Sequence, residues 1–214
     1  MDASGTSFVY CWKQKKYPVH MKLVGDFNVH NALGAIASTL CEGVPPEIIQ
    51  QAFEEIQGVP GRFQPVYEGQ NYTVIVDYAH TPDGLENILQ TGKKLVKNRL
   101  ITVFGCGGDR DNTKRPLMGD IAARYSDHVI VTSDNPRSEK PEAIIQQITA
   151  GIHTSNYEVE PDRRKAIQKA VAMAEENDFI IIAGKGHENY QLVKNQVLHF
   201  DDMEVARDCI KQRA

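Results

Sequence analysis

Val129-Ile130-Val131-Thr132-Ser133-Asp134-Asn135-Pro136-Arg137 is a buried strand that runs straight into a charged, rigid turn. The run from His128 to Thr132 is apolar and β-branched, as expected of a parallel strand covered on both faces. The residues after it change character. Asp134 offers acceptors, Asn135 offers donors and acceptors, Pro136 fixes its own φ, and Arg137 ends in a planar five-donor fork. In open α/β sheets ligands sit outside the carboxyl ends of the strands. A carboxylate and a guanidinium on one short turn there suit a ligand that carries both an ammonium and a carboxylate. An Asx-type turn with a surface arginine is the competing explanation of these four residues.

Outward from this stretch the pattern alternates strand and helix. Strands are predicted near 63–68, 72–77, 100–104, 128–132, 156–159 and 179–183, and helices near 82–96, 114–125, 141–151 and 162–175. Such alternation argues for an α/β fold with a mostly parallel sheet and helices on both faces. Thr81-Pro82-Asp83 supplies a cap, a first-turn proline and an early acid. Tyr190–Phe200 reads as a hairpin around Lys194-Asn195, and Asp201–Arg213 as a closing helix.

Towards the amino end, residues 6–12 and 19–24 read as strands joined by a turn at Lys13-Gln14-Lys15-Lys16. A helix follows from about Phe27 to Cys41, with Val29, Ala32, Leu33, Ile36, Ala37 and Leu40 on one face. Pro45-Pro46 opens a second helix. Gly58-Val59-Pro60-Gly61-Arg62 then marks a boundary, dividing the chain into 1–61 and 62–214. The first part is short for an independent domain and reads as the tail of a larger one.

The chain has 214 residues, 41% hydrophobic and 24% charged, with a net charge of −4. These values describe a globular protein. With no long basic run, nucleic acid is not an expected partner. No stretch has the apolar length of a membrane span, and the first residues, small, polar and uncharged except Asp2, do not resemble a signal peptide. Cys11, Cys41, Cys106 and Cys209 are scattered, which argues against a zinc site or disulfide framework and for a cytoplasmic location.

Four further constellations bear chemistry. In Asp77-Tyr78-Ala79-His80-Thr81-Pro82-Asp83, an acid at a strand's end beside a helix start could hold ribose hydroxyls, and His80 could touch phosphate. Otherwise Asp77 caps the helix and His80 lies on the surface. Phe104-Gly105-Cys106-Gly107-Gly108-Asp109-Arg110-Asp111 is a Gly-rich loop whose glycines permit close approach to a ligand, with Arg110 directed into the crevice of Arg137. A self-paired, solvated charge cluster is the alternative. Ala183-Gly184-Lys185-Gly186-His187-Glu188 again ends a strand in glycines and an acid. Glu188 could receive an amino group, or the segment is a plain glycine turn. In Gly25-Asp26-Phe27-Asn28-Val29-His30-Asn31-Ala32, Asn28 and Asn31 share a helix face and could pair with an adenine edge, or one of them caps the helix. A Gly-Lys-Ser/Thr phosphate loop and a dinucleotide GxGxxG are both absent from the sequence.

Taken together, Phe27–Ala32, Asp77–Asp83, Gly105–Pro116 and Gly184–Glu188 resemble the Mur ligases, the ATP-dependent amino-acid-adding enzymes of peptidoglycan synthesis, in order and spacing across nearly the whole chain. Asp134-Asn135-Pro136-Arg137 resembles the motif by which members adding the third stem-peptide residue recognise meso-diaminopimelate. Lysine-adding relatives usually differ at the arginine. The resemblance implies the tail of a central ATPase domain followed by a Rossmann-like C-terminal domain that brings the amino acid. It implies ATP and Mg²⁺ as cofactors, with the phosphate loop and metal ligands upstream, and UDP-N-acetylmuramoyl-dipeptide and meso-diaminopimelate as substrates of a monomeric enzyme. Asn28, Asn31, Arg62, Asp77 and His80 would then serve the nucleotide. Arg110, Asp134, Asn135, Pro136, Arg137, Gly184 and Glu188 would serve the amino acid. A non-catalytic nucleotide-binding module and a lysine-adding ligase are the alternatives. A dehydrogenase is disfavoured by the missing GxGxxG.

Overall fold

The computed structural model describes residues 5–56 and 58–213; the chain's first four residues, Asp2 among them, lie outside that range. The chain divides into two compact units, Met1–Val59 and Pro60–Ala214.

In the first unit, β1 (Thr6–Trp12) and β2 (Lys15–Met21) pair antiparallel, followed by α1 (Asp26–Cys41) and α2 (Pro46–Glu55). The second strand begins four residues earlier than expected. Lys13 and Gln14 both take positive φ, 46° and 62°, so two residues suffice to reverse the chain, in the turn geometry that matches strand twist. Pro18 is tolerated within β2 because a two-stranded sheet has only edge strands. Tyr10, Val19, Met21, Ala32, Ile36, Ile49 and Phe53 form the core. The expected helix face is rotated: Asn28 is buried, and Leu33 is 40% exposed.

The second unit is a six-stranded sheet in the order β3 (Gln64–Val66), β4 (Thr73–Asp77), β8 (Phe179–Ala183), β5 (Leu100–Phe104), β6 (His128–Val131), β7 (Tyr157–Val159). β3 is antiparallel to β4, and every other pairing is parallel. The helices are α3 (Pro82–Leu95), α4 (Lys114–Tyr125), α5 (Pro141–Thr149), α6 (Arg163–Met173) and α7 (Asp202–Arg213). β9 (Tyr190–Val193) and β10 (Gln196–His199) form a separate hairpin.

Strand alternation assigns the two faces. Val74, Val76, Ile101, Val103, Ile180 and Ile182 pack with Ala166, Ile167, Ala170 and Val171 of α6 and Val205, Ala206 and Ile210 of α7. Ile181 points the other way, towards α3: a Cβ on Gly92 would sit 2.8 Å from its Cδ1. Covered on both faces, β5 and β8 are buried at every position, and so read as unbroken apolar runs. Asp77 pairs with Ala183, Ala183 with Phe104 and Phe104 with Val131, so four strands end in register and four loops leave from one edge.

Candidate functional site

The loop after β6 is held by the hairpin. The Arg137 N–H donates to Leu192 O at 2.9 Å, and its carbonyl accepts from Lys194 N at 2.6 Å. Gln191 Nε2 donates to Asp134 O at 2.6 Å. These bonds hold Arg137 at φ 52°, a left-handed conformation that a non-glycine residue seldom adopts unless its surroundings impose it. Its Nη1 donates to Gly108 O at 2.8 Å. Among the described residues no carboxylate lies within ion-pair distance of this half-buried fork.

Asn135 joins this loop to the one after β8. Its Oδ1 accepts from Leu192 N at 2.9 Å and Lys185 Nζ at 3.2 Å, and its Nδ2 donates to Glu188 Oε2 at 2.8 Å. Lys185 Nζ also lies 3.2 Å from Glu188 Oε2 and 5.5 Å from the Tyr190 ring centre. Two donors facing Oδ1 fix the orientation of the amide. Asp134 is buried, with Oδ1 accepting from Asn135 N. Its Oδ2 lies 2.7 Å from where a Cβ of Gly184 would be, and Gly184 has φ 120°. Gly184 is therefore required by both conformation and space.

The Gly-rich loop corrects one expectation. Two of its three glycines approach the protein's own backbone. A Cβ on Gly105 would lie 2.3 Å from Thr132 O, and one on Gly108 would lie 2.0 Å from Pro136 O. The loop thus stacks directly on the β6 turn, with Gly108 N donating to Asn135 O. The acids of the charge cluster are also used locally. Asp109 binds Ser138 through its side chain, which holds its carboxyl below the usual range, and Asp111 binds Thr113. Arg110 remains exposed, bonded to the Asp109 carbonyl. It shares the edge of Arg137: a Cβ on Gly107 would meet Arg137 Nη1 at 2.8 Å and Arg110 Cγ at 3.9 Å.

Asp77 is buried, with Oδ2 accepting from Phe63 N at 2.6 Å and Oδ1 from Ala79 N at 2.7 Å. Burial pushes its carboxyl up against the pull of these two donors. It ties the start of β3 to the end of β4, while Thr81 caps α3. His80 is exposed, its ring 4.6 Å from that of Tyr78. Arg62 lies over the same Tyr78 ring at 5.2 Å, and the His187 ring is 5.1 Å away. Lys114 Nζ donates to His80 O at 2.6 Å. Asn28 and Asn31 belong to the first unit. Neither caps α1, whose N-cap is Gly25; Asn28 Nδ2 instead donates to Val24 O at 2.9 Å.

Two buried arginines behind these loops escaped the sequence reading. Arg163 is fully buried and grips both oxygens of Asp202, also fully buried, while Nη1 donates to Ser133 O and Nη2 to Ala183 O. Those carbonyls belong to the residues immediately before Asp134 and Gly184. Burial opposes the Arg163 charge, and Asp202 beside it outweighs that, so its pKa is raised. Arg115, equally buried, binds both oxygens of Glu139 and the carbonyl of Gly107. Glu139 Oε1 also accepts from Asp109 N, so this pair braces the Gly-rich loop. The Arg115 bonds, then the Asp109 N–H, hold the Glu139 carboxyl down at about 2. Among the described residues no helix is long and apolar enough to cross a membrane, and no cluster of three or more His, Cys, Asp or Glu side chains could hold a metal ion.

The second unit is thus a Rossmann-like α/β domain of the class that gathers polar loops at the carboxyl ends of a mostly parallel sheet. The chain belongs to the Mur ligase family: the model described as Mur ligase, glutamate ligase domain, matches residues 61–186. It is 56% identical over 214 residues to the UDP-N-acetylmuramoyl-L-alanyl-D-glutamate--2,6-diaminopimelate ligase of Syntrophomonas wolfei, covering 99% of this chain and 44% of that protein. It is 52% identical over 213 residues to the ligase of the same name from Bacillus cereus, covering 100% and 43%. A solved structure of a ligase of that name superposes with a TM-score of 0.73 at 39% identity, covering 99% of this chain and 44% of the other. The chain therefore spans less than half the length of the relatives it matches.

Proposed function

We propose that this chain is the amino-acid-presenting part of an ATP-dependent ligase that adds meso-diaminopimelate to UDP-N-acetylmuramoyl-L-alanyl-D-glutamate. On this reading residues 1–61 complete a central ATP-binding domain and residues 62–214 form the C-terminal domain. The enzyme acts in the cytoplasm as a monomer. The observation that carries the proposal is an unmatched guanidinium with a buried acid, Asp134, and a half-buried one, Glu188, at one sheet edge. Among the described residues Arg137 has no carboxylate partner, and Glu188 is bonded through Oε2 alone, leaving Oε1 without a partner. Such an edge suits a ligand with carboxylate and ammonium groups at both ends.

In the proposed reaction ATP phosphorylates the terminal carboxylate of the acceptor. The amine of the incoming amino acid then attacks the acyl phosphate through a tetrahedral intermediate. This chain contributes positioning, the larger part of catalysis in such a transfer. Arg137, with Arg110, would take the distal carboxylate of meso-diaminopimelate as a bidentate pair. Asp134 or Glu188 would take an ammonium, with Asn135, Pro136 and Gly184 shaping the pocket. Arg62, Asp77, His80, Asn28 and Asn31 would serve the nucleotide. Asp77 can do so only with lone pairs left by Phe63 and Ala79. On this reading the ligands of Mg²⁺ come from outside the chain. Lysine lacks the distal carboxylate and would leave Arg137 desolvated and unpaired, so one residue both selects and rejects.

The names of the relatives support diaminopimelate over lysine, as does Arg137 itself. The test is amide formation by the complete ligase supplied with each amino acid in turn. The reading requires product with meso-diaminopimelate and little with lysine, and equal use of both would overturn it.

A further inference from the structure

Lys185 has no role in the proposal above, yet it is among the largest fully buried side chains of the protein. An ammonium buried to this degree must be paired. Its partners are the Asn135 Oδ1 and Glu188 Oε2 atoms, each at 3.2 Å, and the Tyr190 ring. Asn135 Nδ2 donates to the same Glu188 oxygen, so the three side chains close a ring across two loops. The backbone is shaped to bring the lysine inside: Gly184 and Gly186 flank it at φ 120° and 53°, and a Cβ on Gly186 would lie 2.6 Å from Tyr78 Cβ.

We infer that Lys185 is a positioning residue for the amine-binding end of the site: it fixes Glu188 through Oε2 so that Oε1 is presented as the free acceptor. This rests on the proposed function. Fully buried, Lys185 cannot itself touch a ligand, so any effect on binding passes through the groups it holds. A charge count gives the opposite expectation. Arg163 is matched by Asp202 and Lys185 by Glu188, leaving Asp134 as the acid of this cluster without an ion-pair partner among the described residues. Neutralising Lys185 would make the pocket more negative and, by charge alone, a better binder of ammonium groups. Positioning predicts weaker binding, and the sign decides between them.

The experiment is an NMR titration of the 214-residue chain with meso-diaminopimelate, for the wild type, Lys185→Met, Glu188→Gln and the double variant. Lys185→Met is expected to weaken binding by about tenfold to a hundredfold, the worth of a charge-assisted hydrogen bond. The double variant, in which both charges of the pair are gone, is expected to bind like Glu188→Gln alone. It remains informative if the single lysine variant fails to fold. Unchanged or tighter binding by Lys185→Met would overturn the inference. So would a further tenfold loss in the double variant relative to Glu188→Gln. A wild type that ignores meso-diaminopimelate at millimolar concentration would instead overturn the proposed function.

Discussion

Arg163 Nε and Nη2 hold the two carboxylate oxygens of Asp202 at 2.8 and 2.7 Å, with both side chains fully buried. The pair lies behind the site, and its remaining donors reach the carbonyls that precede Asp134 and Gly184. Breaking one side of such a pair strands a buried charge, whereas replacing both sides can be nearly neutral. Arg163→Met should therefore lower stability by about 3–5 kcal/mol in urea denaturation. Arg163→Met with Asp202→Leu should lose much less. Equal losses for the single and double variants would mean that the pair is not coupled.

The glycines make opposite predictions at two positions. Gly108→Ala would push a methyl against the Pro136 carbonyl and should cost about 1–3 kcal/mol. Gly34, in the interior of α1, has nothing within 4 Å of its would-be Cβ and no positive φ. Gly34→Ala should stabilise by roughly 0.5–1 kcal/mol. Thermal melts of the two variants check both signs.

Acid should weaken the brace of the Gly-rich loop. Glu139 ordinarily titrates at 4.5 and is held down at about 2 in the folded protein. A depressed folded pKa means that the unfolded chain binds the proton more readily, so the contribution is full above about 4.5 and disappears as pH falls towards about 2. Chemical denaturation across this window should show wild-type stability falling more steeply than that of Glu139→Gln. Parallel curves would show that Arg115 does not hold Glu139 as an anion.

Much of the second unit was legible because its strands are β-branched and doubly covered, so 100–104 and 179–183 were bounded to the residue. The first hairpin turn was placed at Lys13-Gln14-Lys15-Lys16, two residues too long, since neither Lys13 nor Gln14 is a usual choice for positive φ. The glycines of 105–108 announced a close approach without saying to what. What they approach is a second loop, set by the strand order. The Arg163–Asp202 pair joins residues 39 apart and has no local signature. Lys185 resembled a solvated glycine turn, and only the docking of β9 against the β6 loop shows why it is buried.

The sequence holds no Gly-Lys-Ser/Thr loop to cradle triphosphate. The purified 214-residue chain should accordingly neither hydrolyse ATP nor form the amide. Phosphate release above background, with all three substrates present, would show that the chain carries its own phosphoryl-transfer machinery.

The central claim is that Arg137 reads the distal carboxylate, and steady-state kinetics of the complete ligase with Arg137→Ala test it most directly. Removing one partner of a partly buried charge pair costs about 2–5 kcal/mol, or roughly 30-fold to several-thousand-fold in kcat/KM. The account predicts a loss of that size with meso-diaminopimelate and almost none with lysine, with Arg137→Lys recovering only part because a point charge cannot reproduce the fork. An equal fall with both amino acids would make Arg137 a structural residue of the β6 turn and contradict the account.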